Sequence, residues 1–452
     1  MRTGAMDIAE DAMSLASGVS GEVEVFAESA RTTAIKVYEG SVESLVSAEP
    51  QGVGVRVINC RRTGYAYTAD LSRAGLEKVV ESASANAEVG DSDEYVALPE
   101  PRGDYPEIGG LWRDGVSRLS AEEKISLALE TERAALSVDE IETVEEAAYQ
   151  DGEWRTALVS STGISAFSES SFCYVYASAH ASRAGSAQTG LGFCAGREPS
   201  ELEPGTAGRE AATKARSLLG AAPCPTGRYT VVFDRDVYAA VLSVLAQALS
   251  AEAVLRGRSA LVGRLGHAIG DSQVDLLDDG LHPDGMATSP FDGEGVPHQR
   301  TQVISGGVLQ AYLHGTYTAR WEGRGAESTG NMRRGSYRST PGVGATNLIL
   351  ASGSGSLEEL IGRVGEGIYV SNLKGLHSGA SSITGDFSVG VEGHLIEGGS
   401  LGRPVREVTL ASDLISLISG VTDRGADSLW VPFYGSVLTP SVAVADVMIS
   451  GE

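Results

Sequence analysis

Glycine constrains this chain more than any other residue, taking 57 of 452 positions without a repeating period. That is roughly 13%, against about 7% in ordinary usage. With no collagen-like repeat, the excess marks tight turns and close strand approaches, so a β-rich fold is expected. Between the glycines lie short runs with period-two alternation. Strands are expected at Glu22–Glu28, Thr33–Tyr38, Ser41–Ala48, Gln51–Ile58 and Gly64–Thr68, with helices at Met6–Ser17 and about Ser72–Ala87. These make residues 5–90 an N-terminal α/β domain.

The stretch 91–118 contains Pro99, Pro101 and Pro106 and reads as a linker. A middle domain, 119–222, opens with a helix over Ser120–Ser137, where Ser120 and Glu123 have the spacing of a capping box. Antiparallel strands follow, and Asp151-Gly152 predicts a hairpin turn between Ile141–Gln150 and Arg155–Ser160. A helix over 206–220 closes this domain, and Pro223 and Pro225 mark the next boundary. From 226 to 452 short strands and glycine turns dominate, with helices at Leu357–Val364 and Asp413–Ile418. That density of turns predicts a closed or partly closed, barrel-like β domain. The fold class is α+β.

Charge narrows the partners. The 60 acidic side chains outnumber 35 basic ones, for a formal charge of −25, and no basic run of five occurs. Nucleic acid is bound by Lys and Arg displacing counterions, so it is not an expected partner. The four cysteines, Cys60, Cys173, Cys194 and Cys224, form no CxxC pair and fit free thiols in a reducing compartment. Met1–Ala16 has no basic-then-apolar signal pattern, and the apolar tail after Trp430 is broken by Pro432, Pro440 and Asp446. A soluble, cytoplasmic protein with no membrane partner is expected.

The seven histidines are His180, His267, His282, His298, His314, His377 and His394, and none pair at helical spacing. No helix therefore offers two imidazoles to one metal. His377 and His394 bracket Gly385-Asp386-Phe387-Ser388 and are the one pair that strands could bring together. No Gly-x-Ser-x-Gly elbow follows a strand, and Gly52/Gly54 lack the third glycine and the helix of a dinucleotide fingerprint.

Several stretches carry a family resemblance as an ordered set. They are Gly52-Val-Gly-Val-Arg-Val57, Gly64-Tyr-Ala-Tyr-Thr68, Ser289-Pro-Phe-Asp-Gly-Glu-Gly-Val-Pro-His298, Gly307–His314, Tyr317–Arg320, Ser328–Asn331, Thr346–Leu348, Gly367–Val370 and Thr384–Ser388. Together they resemble the TldD/PmbA metallopeptidase family over most of the chain; Gly293 departs from the family's Asp or Asn. The resemblance implies that the helix spanning Asp236–Glu252, after the strand-like Arg228–Phe233, corresponds to the one bearing His-Glu-x-x-x-His in the catalytic branch. In that branch the motif supplies two zinc-binding imidazoles and a general base. Here the helix has no histidine, and the late cysteine ligand of catalytic relatives is also missing, since the last cysteine is Cys224.

The resemblance thus implies a PmbA/TldE-type subunit without catalytic residues, metal ligands or cofactor of its own. Its implied partner is a TldD-like zinc subunit in a heterodimer, or a second copy in a homodimer. The implied substrates are unfolded or extended peptides, degraded or matured in an enclosed chamber. Asn331, Asn347, Gly385, Asp386, Phe387 and Ser388 are the candidates to line it; turn and scaffold roles are the plainer reading of each. A self-associating peptide-binding protein, or a hydrolase of specialised natural products or peptides, stays open. So does protein contact with a topoisomerase, echoing an older family name of DNA gyrase modulator.

Overall fold

The alternation that begins at Glu22 does not stop at Glu28. In the computed structural model, which describes residues 4–452, it runs on through Thr33 as one strand, β1, Glu22–Tyr38. The chain turns at Glu39-Gly40 into β2, Ser41–Ala48, then forms β3, Gln51–Asn59, and β4, Arg62–Thr68. Three long strands follow the proline-bearing stretch: β5, Ile141–Ser160, β6, Ser165–Arg183, and β7, Ser186–Gly196. All seven join one antiparallel sheet in the order β4-β3-β1-β5-β6-β7, with β2 paired to the far half of β1. The β1–β5 pairing, from Glu24↔Ser160 to Val37↔Ala147, thus makes one sheet of the segments before and after 91–118.

The expected turn at Asp151-Gly152 is not there. β5 passes straight through it, and the hairpin falls at Ser161–Gly163, where Gly163 has φ +104°. Tertiary contacts override the local turn signal. Asp151 is buried, pairs with Lys124 and accepts the Tyr149 hydroxyl at 2.7 Å. A Cβ on Gly152 would lie 2.1 Å from the Trp154 ring, so this glycine serves ring packing within the strand.

Helices Gly4–Leu15 and Arg73–Val89 cover one part of the sheet, packing Ala9, Leu76 and Val80 onto Val25 and Val55. Helices Ala121–Leu136 and Pro204–Ser217 cover another, against Tyr149 and Val175. The Ser120/Glu123 capping box forms as expected, with both reciprocal bonds made.

The C-terminal half contains a closed five-stranded barrel. Gly227–Phe233, Gly367–Lys374, Asp386–Glu397, Ser400–Asp413 and Val442–Ser450 pair in a ring that returns to its start. A second sheet includes Leu276–Asp279, Asn347–Leu350 and Ser436–Thr439. Helix Arg235–Ala248 packs between them, burying Tyr238, Leu242 and Leu245 in the largest core of the molecule. The mixed α+β architecture with a closed barrel is the class the sequence predicts. Among the described residues no helix is long and apolar enough to cross a membrane.

The two halves meet through a seam. Phe26, Leu158 and Ile164 from the large sheet pack on Phe291 and Tyr337. Tyr337 lies over Gly52, where any Cβ would strike its ring, and the Tyr65 hydroxyl donates to the Tyr337 carbonyl at 2.7 Å.

Candidate functional site

The seam opens into a groove. Its first reach, a cavity of ≈ 590 Å³, has Ser243, Val244, Ala246 and Gln247 of helix Arg235–Ala248 on one wall. Opposite are Val343–Thr346, His377 and the Phe433–Val437 segment. A second reach of ≈ 340 Å³ lies between Trp154, Ser170 and Phe172 of the large sheet and Met286, Ala287 and Ser436. A third, ≈ 330 Å³, continues along Phe26, Thr156 and Ser168. Arg333 borders all three, so they are successive parts of one elongated depression. Phe433 and Tyr434 stand partly exposed at the mouth, Phe433 braced edge-on by Phe193 at 4.8 Å between ring centres.

Buried polar groups hold the walls. Asp278, 1% exposed, accepts from Asn331 Nδ2 at 2.6 Å, from the Thr346 amide at 2.7 Å and from the Thr346 hydroxyl at 2.9 Å. Burial drives its pKa up to about 6, against the pull of those donors. Asn347 is fully buried. It donates to the Asp279 carbonyl at 2.6 Å and accepts from the Ser436 hydroxyl at 2.7 Å and the Ala287 amide at 3.0 Å. It therefore ties together groove residues from two separate loops. Asp292 receives the amides of Glu294, Val296 and Met332, while burial and then Glu294 push it up to about 7.

None of the six residues expected to line a chamber borders the three reaches of this groove. Asn331 and Asn347 stand behind the groove wall and shape it. Phe387 is 0% exposed in the barrel core. Gly385-Asp386-Phe387-Ser388 is not a free loop: a barrel strand starts at Asp386, and its alternation sends Phe387 inward while Asp386 and Ser388 face out. Gly385, with φ +86°, is the turn into that strand. His377 and His394 are not brought to one site. His377 faces the groove, whereas His394 hydrogen-bonds the Ser217 carbonyl at 2.9 Å and stacks on Tyr369.

Zinc does not fit the residues present. The groove face of helix Arg235–Ala248 offers a hydroxyl, an amide and aliphatic carbons. Among the described residues no three His, Cys, Asp or Glu side chains gather as a ligand set.

Comparison with known proteins gives the family. Domain profiles of the PmbA/TldA metallopeptidases match residues 23–87 (domain 1), 114–219 (central domain) and 226–451 (C-terminal domain). This chain belongs to the PmbA/TldD metallopeptidase family. It is 27% identical to metalloprotease PmbA of Escherichia coli O157:H7, over 98% of this chain and 95% of that one. A metalloprotease of Methanothermobacter thermautotrophicus is 28% identical over 95% of each chain. Among solved structures, a Thermotoga maritima protein named as a modulator of DNA gyrase superposes with a TM-score of 0.90 at 28% identity, covering 98% and 99% of the two chains. TldE from Thermococcus kodakarensis has the same fold, with a TM-score of 0.90 at 22% identity and the same coverage. In this PmbA/TldD chain, the residues that sequence reasoning missed are Arg333, Arg197 and the Phe433–Ser436 loop. The available signal was the Arg333-Arg334 pair, two adjacent cations just after Asn331 in an acidic chain.

Proposed function

We propose that this chain is a non-catalytic, PmbA/TldE-like subunit of a heteromeric zinc metallopeptidase, supplying chamber wall and partner interface. One observation carries the reading. The helix that the resemblance matches to the zinc-bearing one lines an open groove with Ser243, Val244, Ala246 and Gln247 and carries no histidine, where that chemistry needs imidazoles on this helix.

Extended peptides suit the shape. Its three reaches adjoin through shared lining residues, both polar and apolar side chains line them, and the short ribbon of Met332–Arg333 and Gly342–Val343 borders the groove. That ribbon pairs with no further strand among the described residues; the Met332 edge is taken by the Asp292 carboxylate and the Gly293 amide, so the Gly342–Val343 edge is the one that can add an extended segment by main-chain hydrogen bonds. Asn331 and Asn347 then act by holding the wall.

The deciding test is metal content and peptidase activity of the purified chain, alone and mixed with a relative carrying His-Glu-x-x-x-His. The expected result is no stoichiometric zinc and no cleavage alone, with cleavage of unfolded peptides in the mixture exceeding that of the relative by itself. Robust cleavage by this chain alone would overturn the reading and favour a self-associating hydrolase.

A further inference from the structure

We propose that the groove between Arg333 and Arg197 is a carboxylate-binding subsite for an extended peptide, a proposal that rests on the peptide-wall reading above. Carboxylates outnumber cationic side chains 60 to 35 in this chain, yet the first two reaches of the groove are lined by no Asp or Glu. Their charged residues are Arg333, common to both, and Arg197.

Both arginines lack a counter-ion. Arg197 is only 6% exposed; its Nη1 and Nη2 donate to the carbonyls of Leu111, Ser171 and Gly285, and its Nε has no partner. Three carbonyls orient the guanidinium without cancelling its charge. Glu201 and Asp284 act on it from beyond ion-pair distance. Arg333 donates through Nη1 to the Ala345 carbonyl at 2.8 Å, leaving Nε and Nη2 as a free fork. Asp278, the carboxylate whose field reaches it, already receives Asn331 and Thr346. Among the described residues neither arginine is within ion-pair distance of an acid.

The neighbouring arginines show the alternative. Arg56 and Arg334, with side chains 9% and 2% exposed, are each paired with Glu24, and Arg56 with Glu294 as well; Arg197 is as buried, whereas Arg333 stands exposed at the groove. Of Arg56, Arg334 and Arg197, only Arg197 has no carboxylate partner among the described residues. An unmatched fork is the geometry that takes a carboxylate through two parallel N–H···O bonds. Trp154 and Phe172 flank the second reach and would pack against the carbon skeleton beside it. The ligand group is a carboxylate, either the peptide's C-terminus or an Asp or Glu side chain.

The test uses purified full-length chain and unstructured ten-residue fluorescent peptides of matched sequence at fixed low salt. One ends in a free acid, one in an amide, and two amidated peptides carry Glu or Gln at a central position. At least one carboxylate peptide is expected to bind about tenfold more tightly than its neutral match, since charge-assisted bidentate pairs exceed neutral ones by that order. Preference for the free acid alone identifies the C-terminus; preference for Glu over Gln identifies a side chain. Arg333→Gln is expected to erase the preference and Arg333→Lys to restore only part of it. Arg197→Lys, which keeps the charge but not the three-carbonyl clamp, reduces it. Equal binding of acid and neutral peptides overturns the subsite and leaves the peptide wall standing. A preference that survives Arg333→Gln undiminished also overturns it. Failure of every peptide to bind overturns both.

Discussion

Arg333 and Arg334 are neighbours in the chain with opposite fates. Arg334 turns into the seam between the two halves and joins Glu24, which Arg56 also contacts at 2.6 Å; Arg56 in turn reaches Glu294 at 3.2 Å. Arg333 turns the other way and borders every reach of the groove without an ion pair. The difference separates structure from function by charge balance. In the seam, burial pushes Glu24 toward neutrality, but Arg334 and Arg56 outweigh it and hold the carboxyl below its ordinary value. Along the first two reaches of the groove no Asp or Glu lines the wall, and Arg333 makes no ion pair among the described residues. A paired, water-excluded arginine holds two halves together; an unpaired one in a cavity is available to a ligand.

The largest effect should come from breaking the seam. Arg56→Ala removes the cation that Glu294 shares with Glu24, leaving a carboxylate that is 1% exposed with the Thr316 amide but no ion pair. Removing one member of a buried pair costs about 3–5 kcal/mol. Urea unfolding of Arg56→Ala should show that loss, with the midpoint falling well below the wild-type value. A loss under about 1 kcal/mol would mean that Phe26, Phe291 and Tyr337 hold the seam by packing alone and that the contrast with Arg333 is overstated.

The second effect tests the wall behind the groove through pH. Asp278 titrates at about 6 in the folded chain, above its ordinary 3.8. The folded state therefore holds this proton more tightly than the unfolded state. That contribution is full below about pH 4 and is lost as pH rises through about 6, on the order of 3 kcal/mol in all. Asn cannot titrate, so the stability gap between wild type and Asp278→Asn should narrow by that order between pH 4 and pH 7. His298, lowered to about 4 by burial, and Asp292 titrate in both proteins and largely cancel in the difference. A gap that stays constant with pH would show that the Asn331 and Thr346 donors keep Asp278 ionised throughout.

Much of the frame was legible because its signals are local. The Ser120/Glu123 cap, the alternation of β3 and β4, and the turn density of the barrel half each depend on residues a few positions apart. Asp151-Gly152 misled because the same dipeptide serves a hairpin and a long strand; Lys124 and Trp154, which decide between them, bear on it from tertiary packing and strand geometry. Asn331 and Asn347, named as chamber-lining candidates with a scaffold role as the plainer reading, are buried behind the wall and bond loop and backbone groups there. The groove itself was illegible. Residues near 154, 170, 197, 243, 286, 333 and 433 meet only once the sheet and barrel are docked, and no spacing in the sequence encodes that meeting.

The smallest effect is the most discriminating. Arg333→Gln deletes a charge that forms no ion pair among the described residues, and it breaks one hydrogen bond to a carbonyl that lies on the groove. Exposed substitutions away from packed or paired groups usually stay within about 0.5 kcal/mol. Arg333 is exposed at the groove; its surroundings lower its pKa, with Asp278 partly offsetting that, so no favourable ion pair is lost with the charge. Thermal unfolding of Arg333→Gln should therefore match wild type to within a degree or two. A large loss of stability would place Arg333 with Arg334 as a structural cation. Near-neutrality, beside a severe Arg56→Ala, would mean that the charge is kept in the groove for something other than folding.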